Sequence, residues 1–304
     1  MAAVVSHLVQ SSLQPSSIPT YKRAWKLFYQ FVTEVLPGTS AAIPLSPSTV
    51  ALFIAHLYHR KYAPSTVQTY VSALGYSHKL AGFSDPTKVF FILQMLKGYG
   101  KSGSRLDSRL PITLPILHKI VRASTQIVDS PYNTCQFQAM CLFAFFTFSR
   151  VGEITASSSG HTFQLHQVTK LLNNNNEVEA IKVIFHNFKH SYNQRPFSLI
   201  ISRQDIFCPV EHLLHYLQLR GYSSGALFRM PDGSPVSRSV FTEKLSTVLK
   251  FCGLDPSRYK GHSFRIGAAS YAADRGMSDA QIRSMGRWKS NAFLKYIRIQ
   301  SLSN

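Results

Sequence analysis

Residues 133–148, NTCQFQAMCLFAFFTF, carry apolar side chains around nearly the whole circumference of a helix. A surface helix keeps one polar face, so a helix without one has to be enclosed on nearly all sides. The pattern predicts a buried central helix in the C-terminal part of the chain, with other elements packed around it. FSRVGEIT follows directly, so this helix delivers Arg150, with Glu153 three residues on, to its end.

The rest of the chain reads as shorter helices separated by turn signals. YKRAWKLFYQFVTEVL places Trp25, Phe28, Tyr29 and Val32 at helical spacing. SPSTVALFIAHLYHRKY and APSTVQTYVSALGYSHKL both open with a Pro-Ser-Thr entry suited to a helix start, and the second sets Val67, Tyr70, Val71 and Leu74 on one face. DPTKVFFILQMLKGYG follows. KSGSRLDSRLP, residues 101–111, is polar and basic without apolar periodicity and reads as an interdomain linker. Beyond the central helix, IKVIFHN and RPFSLII flank a polar turn and form the best hairpin in the chain. Helical patterns return over 209–221, 237–252, 263–276, 278–285 and 291–299. The expected fold is mostly α with a small antiparallel β-sheet, in two domains, 1–105 and 106–304.

Lys and Arg number 33 against 14 Asp and Glu, a formal net charge of +19. The excess is spread out: residues 1–110 hold 11 basic and 3 acidic residues, leaving 22 and 11 for the remainder. A long polyanion touched by both parts is the simplest partner. A membrane is not expected, since no run of about 18 apolar residues and no basic amphipathic helix stands out. The first residues lack the basic region of a signal peptide. Four scattered cysteines, without a CxxC pair, suit free thiols rather than a disulfide framework or a zinc site.

The chemistry-bearing residues fall in a defined order. A guanidinium can grip both non-bridging oxygens of a phosphodiester through its planar fork, which suits Arg150, and the nearby Glu153 can orient such a group. GHSFRIGAAS places His262 and Arg265 at i, i+3 near a helix N-terminus, where backbone N–H groups also favour phosphate. His262 can shuttle a proton, and Arg265 can supply a second clamp. Tyr296, in LKYIR, is a nucleophile only if cations and a base stabilise its phenolate. Lys295 and Arg298 flank it and can rest on a nucleic-acid backbone. Lys189 falls at the end of the first hairpin strand, where it could protonate a leaving oxygen; His186, His190 and Arg195 compete for that role.

Arg-x-x-Glu after a buried helix, Lys in a hairpin, His-x-x-Arg, a Gly-Arg-Trp turn and then Tyr, in this order, resemble the catalytic domain of the tyrosine recombinases (phage integrases) over residues 112–299. Residues 18–100 resemble their helical core-binding domain in pattern. GRWKS and KYIR are most similar to eukaryotic mobile-element members, of the DIRS and Crypton types, and to the Cre end of the family. The resemblance implies that Arg150 and Arg265 clamp the scissile phosphate, that His262 is the acid/base, that Lys189 protonates the leaving 5′-hydroxyl, that Glu153 supports the site, and that Tyr296 forms a 3′-phosphotyrosyl bond. That bond conserves the energy of the phosphodiester, so neither ATP nor a metal nor any other cofactor is implied. The implied partner is double-stranded DNA, bound by a homotetramer, in the nucleus of a eukaryote or otherwise in the cytoplasm or nucleoid.

Two departures from the family pattern bear on function. The family sets a His or Trp nine residues before the tyrosine, after a Gly. Here Arg287 has the spacing, whereas Trp288 has the residue type but lies eight before Tyr296; Trp288 is the favoured occupant and Arg287 the alternative. Eight residues follow Tyr296, so a long C-terminal helix docking on a neighbouring subunit is not expected. These departures keep a second reading open, a DNA-binding protein derived from such an enzyme but no longer catalytic. A type IB topoisomerase, with similar chemistry, is the third.

Overall fold

The computed structural model describes residues 1, 4, 7–9, 12–13, 17–103, 108–156, 162–186, 188 and 196–298. Two compact units, Met1–Asp107 and Ser108–Asn304, each have a hydrophobic core of their own.

The first unit is helical: α1 Ile18–Val35, α2 Pro47–His59, α3 Pro64–Leu80 and α4 Phe90–Gly103. Proline in the first turn starts α1, α2 and α3, where its missing N–H costs nothing. Ser46 completes the entry to α2 by accepting the Thr49 N–H at 3.1 Å. Val67, Tyr70, Val71 and Leu74 of α3 are all buried, as their spacing predicts, against Phe28, Phe31 and Phe53. Tyr29 departs from the predicted stripe and is exposed, because the buried face of α1 runs through Ala24, Phe28, Phe31 and Val32. Helix α4 continues to Gly103, so the segment expected as linker is helical in its first three residues.

In the second unit, α5 Leu114–Ile127 precedes α6 Pro131–Phe146, the buried helix that the apolar run predicts. Every residue of α6 from Gln136 to Phe145 is buried, and α5, α8 (Pro209–Arg220) and α10 (Ser263–Asp274) pack on it. Its enclosed polar groups are satisfied: Gln138 Nε2 donates to the Val121 carbonyl and to Ser124 Oγ, both at 3.0 Å. The short α7, Val151–Ile154, follows, and α9 (Arg238–Phe251) and α11 (Asp279–Met285) complete the helices.

The sheet has three antiparallel strands in the order β1 Val168–Leu172, β2 Val178–Phe185, β3 Phe197–Ser202. Strands β2 and β3 are the expected hairpin, paired from Ala180↔Ser202 to Phe185↔Phe197. Strand β1 is an addition to the sequence expectation. It lies at the sheet edge, and its burial does not alternate cleanly, so it lacks the period-two signal. Asn173 closes the β1–β2 turn by accepting the N–H groups of Asn175 and Glu177 on its side chain.

Helix α10 comes very close to the backbone before α5. A Cβ on Gly267 would lie 1.8 Å from the Ile112 carbonyl oxygen, and the Ile112 N–H donates to Ser263 O at 3.0 Å. This contact, with Leu110 N–H donating to Arg258 O at 2.8 Å, holds the segment before α5 against the start of α10. The predicted final helix is instead a 3₁₀ turn, Asn291–Lys295, which stops at Tyr296. A turn of this kind ends after a few residues because its hydrogen-bond geometry is poor.

Candidate active site

Helix α6 ends because Phe148 adopts left-handed backbone (φ 53°). The Ser149 N–H then returns to Ala144 O at 2.9 Å, which closes the last turn and sets Arg150 at the N-terminal cap of α7. A bulky residue at positive φ is strained and persists only when its surroundings hold it. Here they do: the Phe148 carbonyl accepts Arg265 Nη1 at 2.8 Å and Arg287 Nη2 at 3.4 Å.

Glu153 is the hub of an ion-pair network. Its Oε1 accepts Arg150 Nη1 at 2.7 Å, and its Oε2 accepts the Arg150 backbone N–H at 3.0 Å and Arg287 Nη2 at 2.8 Å. Burial pushes the Glu153 carboxyl up, but Arg287, Arg150 and Arg265 together outweigh it and hold the group below the ordinary carboxylate range, ionised. Arg150 is pinned by one nitrogen only. Its side chain is 21% exposed, and its remaining N–H groups have no partner among the described residues.

Helix α10 supplies His262 at its N-terminal cap and Arg265 one turn in. Arg265 is fully buried, bonded to the carbonyls of Phe148 and Gly286, and its Nε has no partner among the described residues. Its guanidinium lies on the Trp288 ring, 4.1 Å from the centroid. Gly286 makes room for that ring, since a Cβ there would lie 1.5 Å from Trp288 Cζ3.

Tyr296 follows the 3₁₀ turn, half-buried. Its ring lies 5.2 Å from Trp288 and 6.2 Å from His262, nearly parallel to the imidazole at 29°. Arg265 Cζ is 6.0 Å from the Tyr296 centroid. The Tyr296 hydroxyl has no hydrogen-bond partner among the described residues. Ser270 of α10 fixes the backbone beyond it, donating to Tyr296 O at 3.3 Å and accepting the Arg298 N–H at 2.9 Å.

The local field is strongly positive. Burial first, then Arg109, Arg150, Arg265 and Arg238, lower the His262 pKa to about 4, so the imidazole is neutral at pH 7. Burial, then Arg150, lowers that of Arg265 to about 9, which leaves it charged. Cations gathered around a neutral imidazole, with the Tyr296 side chain beside it, form a place suited to an anion.

Arg150, Glu153, His262, Arg265, Trp288 and Tyr296 therefore come together from three separate stretches of chain. Lys189, His190 and Arg195 lie outside the described residues. The two contenders after Gly286 part company: Trp288 lies against both Arg265 and Tyr296, whereas Arg287 turns back to Glu153. Sequence reasoning missed Arg109 and Arg238. Arg109 falls in the basic segment read only as a linker, and nothing local in SPVSRSV marks Arg238.

No protein-family model matches the sequence, and no curated protein matches it. Solved structures do. The chain is similar to the Tn1549 transposon integrase in complex with transposon right end DNA (TM-score 0.63, 11% identity, 99% of this chain and 94% of that one). It is similar to the XerH site-specific recombinase in a post-cleavage complex with a palindromic difH substrate (0.62, 13%, 93% and 76%). It is likewise similar to a lambda integrase dimer bound to a COC′ core site (0.61, 15%, 96% and 91%). The fold is thus the tyrosine recombinase fold, mostly helical with a small antiparallel sheet.

Proposed function

We propose that this protein is a site-specific DNA recombinase that cleaves and rejoins strands through a 3′-phosphotyrosyl intermediate on Tyr296. The observation that carries this reading is the convergence of Arg150, His262, Arg265, Trp288 and Tyr296 in one positive site. The scissile phosphate lies against Arg150 and Arg265, whose charge offsets that developing on the non-bridging oxygens. The Tyr296 oxygen attacks phosphorus and its proton passes to His262, neutral and able to accept it. The bond from phosphorus to the 5′ oxygen breaks, and Lys189 protonates that oxygen. A 5′-hydroxyl from a second duplex then attacks the phosphotyrosine and releases Tyr296, so one phosphodiester replaces another without ATP or metal.

Residues 1–105 act as the core-binding domain and 106–304 as the catalytic domain. Four protomers hold two duplexes, in the nucleus if the host is a eukaryote. The complete burial of Arg265 favours a second reading, a non-catalytic DNA-binding protein descended from such an enzyme.

Incubation of the protein with nicked DNA from its native flanking termini, without metal, separates the two. A covalent adduct on a denaturing gel that disappears in Tyr296→Phe supports the recombinase. Salt-sensitive binding to the same DNA without an adduct supports the second reading.

A further inference from the structure

Arg287 is built into the site more tightly than a turn residue needs to be. Its side chain is 1% exposed, and its backbone is left-handed (φ 57°), a conformation that costs an arginine energy and suits glycine. The guanidinium donates to Thr147 O at 3.1 Å and to Glu153 Oε2 at 2.8 Å, and stacks on Phe185 of β2 at 3.9 Å. A buried cation in a strained turn, facing the carboxylate that also holds Arg150, calls for an explanation in terms of charge.

We propose that Arg287 is a positioning residue that holds Glu153 so that Arg150 stays available to a phosphate, an inference that rests on the recombinase reading. Glu153 has two oxygens. Arg287 and the Arg150 backbone N–H occupy Oε2, so only Oε1 is left for the Arg150 side chain. Carboxylates otherwise take guanidinium forks at both oxygens, and a bidentate pair would face the Arg150 fork inward and neutralise it. With Arg287 present, two guanidinium charges stand against one carboxylate, and the pair keeps a surplus of one. The next residue, Trp288, lies on Arg265 and beside Tyr296, so the same turn sets the aromatic side of the site.

The test compares Arg287→Met alone with Arg287→Met combined with Glu153→Gln. The single variant removes the surplus charge; the double variant restores it while returning none of the lost contacts. Adduct formation on the nicked DNA should fall about 100-fold in the single variant, the scale of losing one transition-state donor. The double variant should regain at least about tenfold of that. Duplex affinity should stay within about threefold throughout, since Arg287 is buried. A purely structural role predicts no regain, because the isosteric amide repairs neither the turn nor the stacking. Folded single variant with wild-type cleavage, or a double variant no better than the single, overturns the proposal.

Inorganic phosphate affinity, followed through the His262 ring NMR signals, gives a second readout independent of cleavage. If the wild type forms no adduct but phosphate binding weakens in the single variant and returns in the double, the recombinase reading fails and the positioning role stands. If neither variant changes phosphate binding, the positioning role fails regardless of whether the wild type cleaves DNA.

Discussion

His262 sits where burial and four arginines act in the same direction, and this has a pH signature. Its folded pKa of about 4 lies below the ordinary 6.5, so the native state prefers the neutral ring. The unfolded chain binds the extra proton first. The contribution to stability is therefore fully present above about pH 6.5 and is lost as the pH falls through about 4. In urea titrations at constant salt, wild type should lose more stability than His262→Gln between these limits; parallel curves would refute the assignment. A bound phosphate would offset part of that positive field and favour the protonated ring, so duplex affinity should rise more steeply on acidification in wild type than in His262→Gln. The Trp288 stack makes a second prediction at this scale. Gly286→Ala should displace the ring from Arg265 and lower stability by about 1–3 kcal/mol, read by thermal unfolding, with adduct formation lost along with it. His262 and Arg265 were legible as a pair because their i, i+3 spacing alone brings them to one helix end. The pairing of Arg287 with Glu153 was not, because 134 positions separate them in the chain and only the folded α6–α7 corner brings them together.

Among the elements, those whose sequence carried a period were legible. The burial of α6 followed from its lack of a polar face, and that of α3 from Val67, Tyr70, Val71 and Leu74. Strand β1, lying at an edge, had no such pattern, and the 3₁₀ turn before Tyr296 looks helical in sequence because its apolar residues also recur at short range. Close backbone approach leaves no periodic trace at all. Gly267 lies against the Ile112 carbonyl, so a methyl group there has to part α10 from the segment leading to α5. Gly267→Ala should destabilise the second unit by about 1–3 kcal/mol in chemical denaturation, even though alanine favours helix. A stabilised Gly267→Ala variant would mean that this contact yields freely.

Over the whole molecule, charge is the property that sequence reports most directly. The formal net charge is +19, with a basic excess in both parts of the chain, and if the partner is a DNA duplex, as proposed, binding should weaken steeply with salt. If about 6–10 phosphates are contacted, affinity should fall about 10³- to 10⁵-fold between roughly 50 and 200 mM salt, measured by fluorescence anisotropy. A flat response would exclude the polyanion partner altogether. The stretch without apolar periodicity, residues 101–111, is not free of regular structure, since α4 runs to Gly103.

The chain has two tryptophans, and they fall in different units. Trp25 donates its indole N–H to Ser77 in the first, and Trp288 lies on a guanidinium beside Tyr296 in the second. The molecule thus carries one indole in each unit, and a Trp25→Phe variant would leave the indole of the candidate site as the sole tryptophan emitter. Stopped-flow emission from that variant would time the arrival of a phosphate at Arg265 and, if the proposed phosphotyrosyl bond forms, its closing as a separate phase, with no dye attached to protein or DNA.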